Sequence, residues 1–70
     1  MAKISGRNKL PATVKQVVRD GVMAKVVLDG PGGVEITAVI TADAADDLGL
    51  ATGQKVTALI KATEIMVMKD

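Results

Sequence analysis

Glycine-bearing turns divide this chain into short runs in which apolar and polar residues alternate. The clearest run covers 22–29, where Val22, Ala24, Val26 and Leu28 fall on one face and Met23, Lys25, Val27 and Asp29 on the other. Alternation with a period of two is typical of a β-strand with one buried face. Turn signals that recur every ~8–12 residues favour a small barrel or sandwich. The chain is therefore predicted to be all-β.

The same pattern predicts five strands, at 12–19, 22–29, 34–40, 55–61 and 64–69. Pro11 is placed at the start of the first strand, where a missing N–H is tolerated. Asp20-Gly21 predicts a tight hairpin turn, and 29–33 predicts a longer hairpin loop. Val34 is assigned to the inward face of the third strand, and the last strand is apolar on both faces.

A short helix is predicted between the third and fourth strands. Thr41 can cap it, Asp43 suits its positive N-terminal end, and Gly49 can end it in the left-handed conformation. Five strands with one helix at this place form the order of an OB-fold barrel. We therefore predict one domain over 1–70, a five-stranded OB-fold barrel.

The size of the chain predicts an oligomer. Seventy residues bury only a small core, and such chains usually depend on disulfides, a metal or association with other copies. Cysteine and histidine are both absent, which removes disulfides and the usual ligands of zinc, iron and copper. With 49% hydrophobic residues, some apolar surface is expected to face other copies.

The location of the protein is predicted to be cytoplasmic. No segment approaches the ~18 apolar residues that a membrane-spanning helix needs. The first residues lack the apolar core of a signal peptide.

The net charge is only +1, but the charges are unevenly distributed. The basic residues fall towards the two ends of the chain, and 26–54 contains no lysine or arginine. Two donor-rich motifs lie in these basic ends: Ser5-Gly6-Arg7-Asn8 and Lys61-Ala62-Thr63. A guanidinium, an ammonium, two hydroxyls and closely approached N–H groups suit an oxyanion with two negative charges. The plainer alternative stays open, since Ser5 and Asn8 are common turn formers and Lys61 can be a solvated surface charge.

At these residues the chain resembles the molbindins, small cytoplasmic molybdate-binding proteins built from one OB-type domain of the TOBE class. The resemblance extends over 4–68. It rests on Ile-Ser-Gly-Arg-Asn-Lys-Leu at 4–10, Asp-Leu-Gly-Leu at 47–50 with Gly53, and Thr-Ala-Leu-Ile-Lys-Ala-Thr at 57–63.

The resemblance implies a hexamer, a trimer of dimers, that binds molybdate or tungstate between subunits. It implies an anion site formed by Ser5, Gly6, Arg7, Asn8, Lys61, Ala62 and Thr63, with different subunits contributing to one site. A second type of interface site in the family is not assigned to residues of this chain. The implied role is storage and homeostasis of the oxyanion, with no catalysis, no cofactor and no direct protein–metal bond.

Three other functions compete with oxyanion binding. Nucleic-acid binding by OB barrels stacks bases on aromatic side chains, and this chain has no Phe, Tyr or Trp. Catalysis is disfavoured because His and Cys are missing and Ser5 is the only serine. A module for assembly or regulation that binds no anion remains the open alternative.

Overall fold

The computed structural model describes residues 7–70 and places four strands and one α-helix. The elements are β1 (Asn8–Asp20), β2 (Met23–Asp29), β3 (Glu35–Thr41), α1 (Ala42–Asp47) and β4 (Lys55–Ile60), with 3-10 turns at Pro31–Gly33 and Ala62–Glu64. The strands form one antiparallel sheet in the order β3-β2-β1-β4. This sheet curls into a half-barrel, which confirms an all-β, OB-like fold with one short helix between the third and fourth strands.

The long strand β1 holds the sheet together because its two halves pair with different neighbours. Residues 8–13 pair with β4, and 13–20 pair with β2 across a register shift between Val14 and Gln16. Pro11 lies inside β1, opposite Thr57, so the predicted strand start at residue 12 was wrong. Within the described chain residues 8–12 pair with β4 alone, and a residue without an N–H is tolerated where one side of the strand is not paired.

The core lies on the concave face of the sheet. Val14 is its largest fully buried side chain, with 1% exposed, and Ala12, Val26, Leu28 and Ala58 pack around it. On β2 the predicted face is buried at Ala24, Val26 and Leu28. Val22, assigned to the same face, precedes β2 and is 80% exposed, and Val27, assigned to the opposite face, is buried as well. Val34 is 60% exposed and precedes β3. Its predicted inward position was wrong because the loop 30–34 holds it outside the ladder.

The local signals at the helix are confirmed. The Thr41 hydroxyl oxygen accepts a hydrogen bond of 3.0 Å from the backbone N–H of Ala44, and Asp43 lies in the first turn. Gly49 follows the helix with φ 62°.

The first hairpin differs from the prediction, since Asp20 pairs with Met23 and the loop is Gly21-Val22. Gly21, with φ 62°, takes the first loop position, where glycine is favoured in tight hairpins.

The predicted fifth strand is not formed in the described chain. After the 3-10 turn Ala62–Glu64, residues 65–70 belong to no strand. Met66, Val67 and Met68 are 94%, 93% and 86% exposed. A strand that is apolar on both faces needs apolar contacts on both sides to be stable, and residues 7–70 do not provide them for this segment. No helix in residues 7–70 is long and apolar enough to cross a membrane.

Candidate oxyanion-binding site

The pairing of β1 with β4 brings the two donor-rich motifs together at one end of the sheet. Asn8, the first residue of β1, is the register partner of Ile60, the last residue of β4. The Asn8 side-chain Nδ2 also donates a 3.2 Å hydrogen bond to the carbonyl oxygen of Ile60. Arg7 directly precedes β1 and Lys61 directly follows β4. Both cationic residues therefore lie at the same corner of the sheet.

The second motif forms the turn that follows β4. Lys61 is extended, with φ −67° and ψ 137°, and Ala62–Glu64 form a 3-10 turn closed by a 2.9 Å bond from the Glu64 N–H to the Lys61 carbonyl oxygen. The first N–H groups of a helical turn have no acceptor inside that turn. The N–H groups of Ala62 and Thr63 are therefore donors that an added acceptor can use.

The charge at this corner is positive in the part of the chain that the structure describes. Ion pairs among residues 7–70 join Lys15 to Glu35 and Arg19 to Asp46, at 3.1 and 2.6 Å. Neither Arg7 nor Lys61 takes part in them. Glu64 is the acidic residue nearest in sequence to Lys61. Arg7, Lys61, Ala62 and Thr63 are exposed, and Asn8 is half-buried. The corner can thus offer two cations and several neutral donors to one anion from solvent.

The remaining charged pairs belong to the scaffold. Lys15 lies at the irregularity of β1, and its hydrogen bond and charge attraction to Glu35 raise its pKa above the ordinary 10.5. Arg19, near the C-terminal end of β1, forms an ion pair with Asp46 of α1, and its Nε and Nη2 both donate to one carboxylate oxygen of Asp46. Among residues 7–70 no group of three or more acidic residues is arranged to hold a metal ion.

The structure places five of the seven predicted site residues. Arg7 and Asn8 lie beside Lys61, Ala62 and Thr63, while Ser5 and Gly6 lie outside the described residues. The sequence led us to expect that different subunits supply the two motifs. In this structure one chain already brings both to the same corner, so a neighbouring subunit would add donors to an existing set. The hydrogen bond from Asn8 to Ile60 was not foreseen, because it becomes visible only when the β1–β4 register is known.

Comparison with known proteins identifies the family of this chain. The TOBE domain family matches residues 4–67. The chain belongs to the TOBE-domain family. This TOBE chain is 42% identical over 65 residues to molybdenum-pterin-binding protein 3 of Clostridium pasteurianum, covering 93% of the chain and 96% of that protein. The resemblance to molbindins is thereby confirmed.

Solved structures resemble the TOBE chain over nearly its whole length. A molybdate-binding protein from Sporomusa ovata is 59% identical with a TM-score of 0.92, and the match covers 97% of this chain and 100% of that one. The cytoplasmic molybdate-binding protein ModG is 43% identical with a TM-score of 0.82. That match covers 87% of this chain but 43% of ModG, so the TOBE chain corresponds to part of that longer protein.

Proposed function

We propose that this TOBE chain binds molybdate or tungstate and serves to store and buffer the oxyanion, without catalysing a reaction. The observation that carries the proposal is the β1–β4 register, which sets Arg7 and Lys61 at one exposed corner. The likeness over nearly the whole chain to a molybdate-binding protein and to a molybdenum-pterin-binding protein supports the choice of anion.

The proposed site consists of Ser5, Gly6, Arg7, Asn8, Lys61, Ala62 and Thr63. Two fixed positive charges balance the two negative charges of a tetrahedral oxyanion, and hydrogen bonds to charged groups are about twice as strong as neutral ones. The donors contact the oxo groups, so the metal is held without a direct bond to the protein.

The exposure of the corner supports a site completed by a second subunit. In open water a pair of unit charges 4 Å apart gains only about 1 kcal/mol, and about 4 kcal/mol where the effective dielectric constant is near 20. Cover by a neighbouring subunit removes water and strengthens each contact. Following the resemblance to molbindins, we propose a homohexamer arranged as a trimer of dimers, with the anion between subunits.

The proposal extends to the whole chain. Residues 1–70 form one TOBE domain, and a fifth strand completes its barrel in the assembled protein. The protein works in the cytoplasm without a cofactor, and it takes no nucleic acid or membrane as a partner. The exposed apolar C-terminal segment supports the assembly, and the description of ModG as cytoplasmic supports the location.

Calorimetric titration with molybdate tests the site. Arg7→Ala and Lys61→Ala each remove a charge-assisted contact worth about 1.5–3 kcal/mol, so we expect affinity to fall by roughly ten- to a hundredfold in each. Lys25→Ala is the matched control, because it removes the same charge from an exposed position of β2, paired with the far half of β1. Unchanged affinity in both site variants, or an equal loss in the control, would contradict the proposed site.

A further inference from the structure

The side chain of Asn8 joins the two donor-rich motifs to each other. Its Nδ2 donates to the carbonyl oxygen of Ile60, 52 residues further along the chain, over 3.2 Å. Asn8 is half-buried, whereas Arg7 and Lys61 beside this pair are exposed. The carboxamide is therefore held against the end of the sheet, while the two cationic residues face solvent.

The hydrogen bond from Asn8 acts on the peptide group that leads into Lys61. The carbonyl of Ile60 and the N–H of Lys61 belong to one planar peptide group, so a bond to that carbonyl fixes the orientation of the whole group. On the other strand, Asn8 is itself joined by a peptide bond to Arg7. One side-chain hydrogen bond thus lies a single residue away from each of the two cations.

The peptide group after Lys61 is held as well. The Lys61 carbonyl oxygen accepts a 2.9 Å hydrogen bond from the N–H of Glu64. No peptide bond in residues 7–70 is cis, and in a trans peptide group the N–H points away from the carbonyl oxygen. The N–H of Ala62 is therefore directed out of the turn. The bonds from Asn8 and Glu64 together fix the two peptide groups on either side of Lys61.

We propose that Asn8 is a positioning residue of the oxyanion site. Its carboxamide holds Lys61 beside Arg7, and its contribution to affinity is made through these two cations and not through a contact with the anion. Donors that are ordered before the anion arrives lose less freedom on binding, which raises affinity. This inference rests on the proposed function and assigns to Asn8 one role within it.

A double-substitution cycle distinguishes positioning from direct contact. Molybdate affinity is measured by calorimetry for the unaltered protein, Asn8→Ala, Lys61→Ala and the variant with both changes. Loss of a hydrogen bond between neutral groups should lower the affinity of Asn8→Ala by about three- to tenfold. In the Lys61→Ala background the same change should lower it by less than about twofold, because the ammonium group that Asn8 positions is already gone.

The matched control is Gln16→Ala, which removes a carboxamide from an exposed position in the half of β1 that pairs with β2. It should leave the affinity unchanged. Asn8→Ser replaces Asn8→Ala in the cycle if the alanine variant does not fold, since the serine hydroxyl is too short to reach the Ile60 carbonyl. An equal loss in both backgrounds, no loss on substitution of Asn8, or an equal loss in Gln16→Ala would overturn the positioning role.

A second readout omits the anion. The backbone amide ¹⁵N signal of Lys61 responds to a hydrogen bond accepted by the carbonyl of its own peptide group. Asn8→Ala and Asn8→Ser should each shift this signal by more than its line width, and Gln16→Ala should not. An unshifted Lys61 signal in both Asn8 variants would overturn the inference.

The two experiments separate this inference from the proposed function. If the unaltered protein binds no molybdate, the proposed function fails, and the role of Asn8 fails with it. If the unaltered protein binds molybdate but the loss from Asn8→Ala is the same with and without Lys61, the positioning role alone fails.

Discussion

Replacement of Val14 by alanine tests whether the half-barrel core carries the stability of the fold. Val14 is 1% exposed and packs among Val26, Leu28 and Ala58. The change removes the equivalent of two methylene groups, which costs about 1.6 kcal/mol at about 0.8 kcal/mol per group. The incompletely filled cavity raises the cost. We expect the free energy of unfolding to fall by about 2–3 kcal/mol.

The assay is urea unfolding followed by far-UV circular dichroism, since the chain has no aromatic residue to fluoresce. Both proteins are measured at one concentration, since the proposed self-association would make the unfolding transition depend on protein concentration. Val22→Ala is the matched control, as Val22 is 80% exposed, and its effect should stay within about 0.5 kcal/mol. A loss below about 0.5 kcal/mol for Val14→Ala, or equal losses in both variants, would refute the account of the core.

Three further predictions concern local structure. Thr41→Ala removes the hydroxyl that caps α1 and should cost about 1 kcal/mol in urea unfolding, whereas Thr41→Ser should restore most of it; equal losses would argue against the cap. Gly30→Ala places a Cβ 2.8 Å from Ile36 Cδ1 and 3.1 Å from the Val34 carbonyl oxygen, so we expect a loss of about 1–2 kcal/mol, partly recovered by Ile36→Val; a neutral Gly30→Ala would contradict this crowding. Glu35→Gln should lower the raised pKa of Lys15 towards 10.5 in an NMR titration, and an unchanged pKa would show that Glu35 is not its cause. The contribution of this pair to stability is present below the unfolded-state pKa of Lys15 and is lost as pH rises through the raised pKa.

Local signals in the sequence predicted much of the fold because they act over a few residues. Alternation placed Ala24, Val26 and Leu28 inside, and Thr41 and Gly49 marked the two ends of the helix. The sequence did not predict the strand boundaries that depend on pairing with another strand. Pro11 was expected to begin a strand, but pairing with β4 extends β1 past it to Asn8.

The predicted fifth strand is a stronger example of structure that depends on a pairing partner and not on the local sequence alone. The pattern of 64–69 is that of a strand, yet a strand requires a partner edge, and in the described chain this segment has none. Its alternation reports a preference for extended structure that the described chain does not pair in a sheet. Sequence periodicity does not distinguish a partner on the same chain from one on another chain.

The sequence and the family resemblance predicted that two sets of donors form one anion site, but not that a single chain brings both sets to the same corner. Arg7 and Lys61 were selected for their chemistry, whereas their proximity follows from the register that pairs Asn8 with Ile60. That register arises from packing across the whole sheet, and no short motif encodes it.

Native mass spectrometry with and without molybdate tests the central claim most directly, since it reports subunit number and bound ions together. We predict a hexamer that gains molybdate ions only when the anion is added, and an Arg7→Ala hexamer that retains few or none. A protein that assembles but gains no molybdate, or an Arg7→Ala variant that holds as many ions as the unaltered protein, would contradict the account.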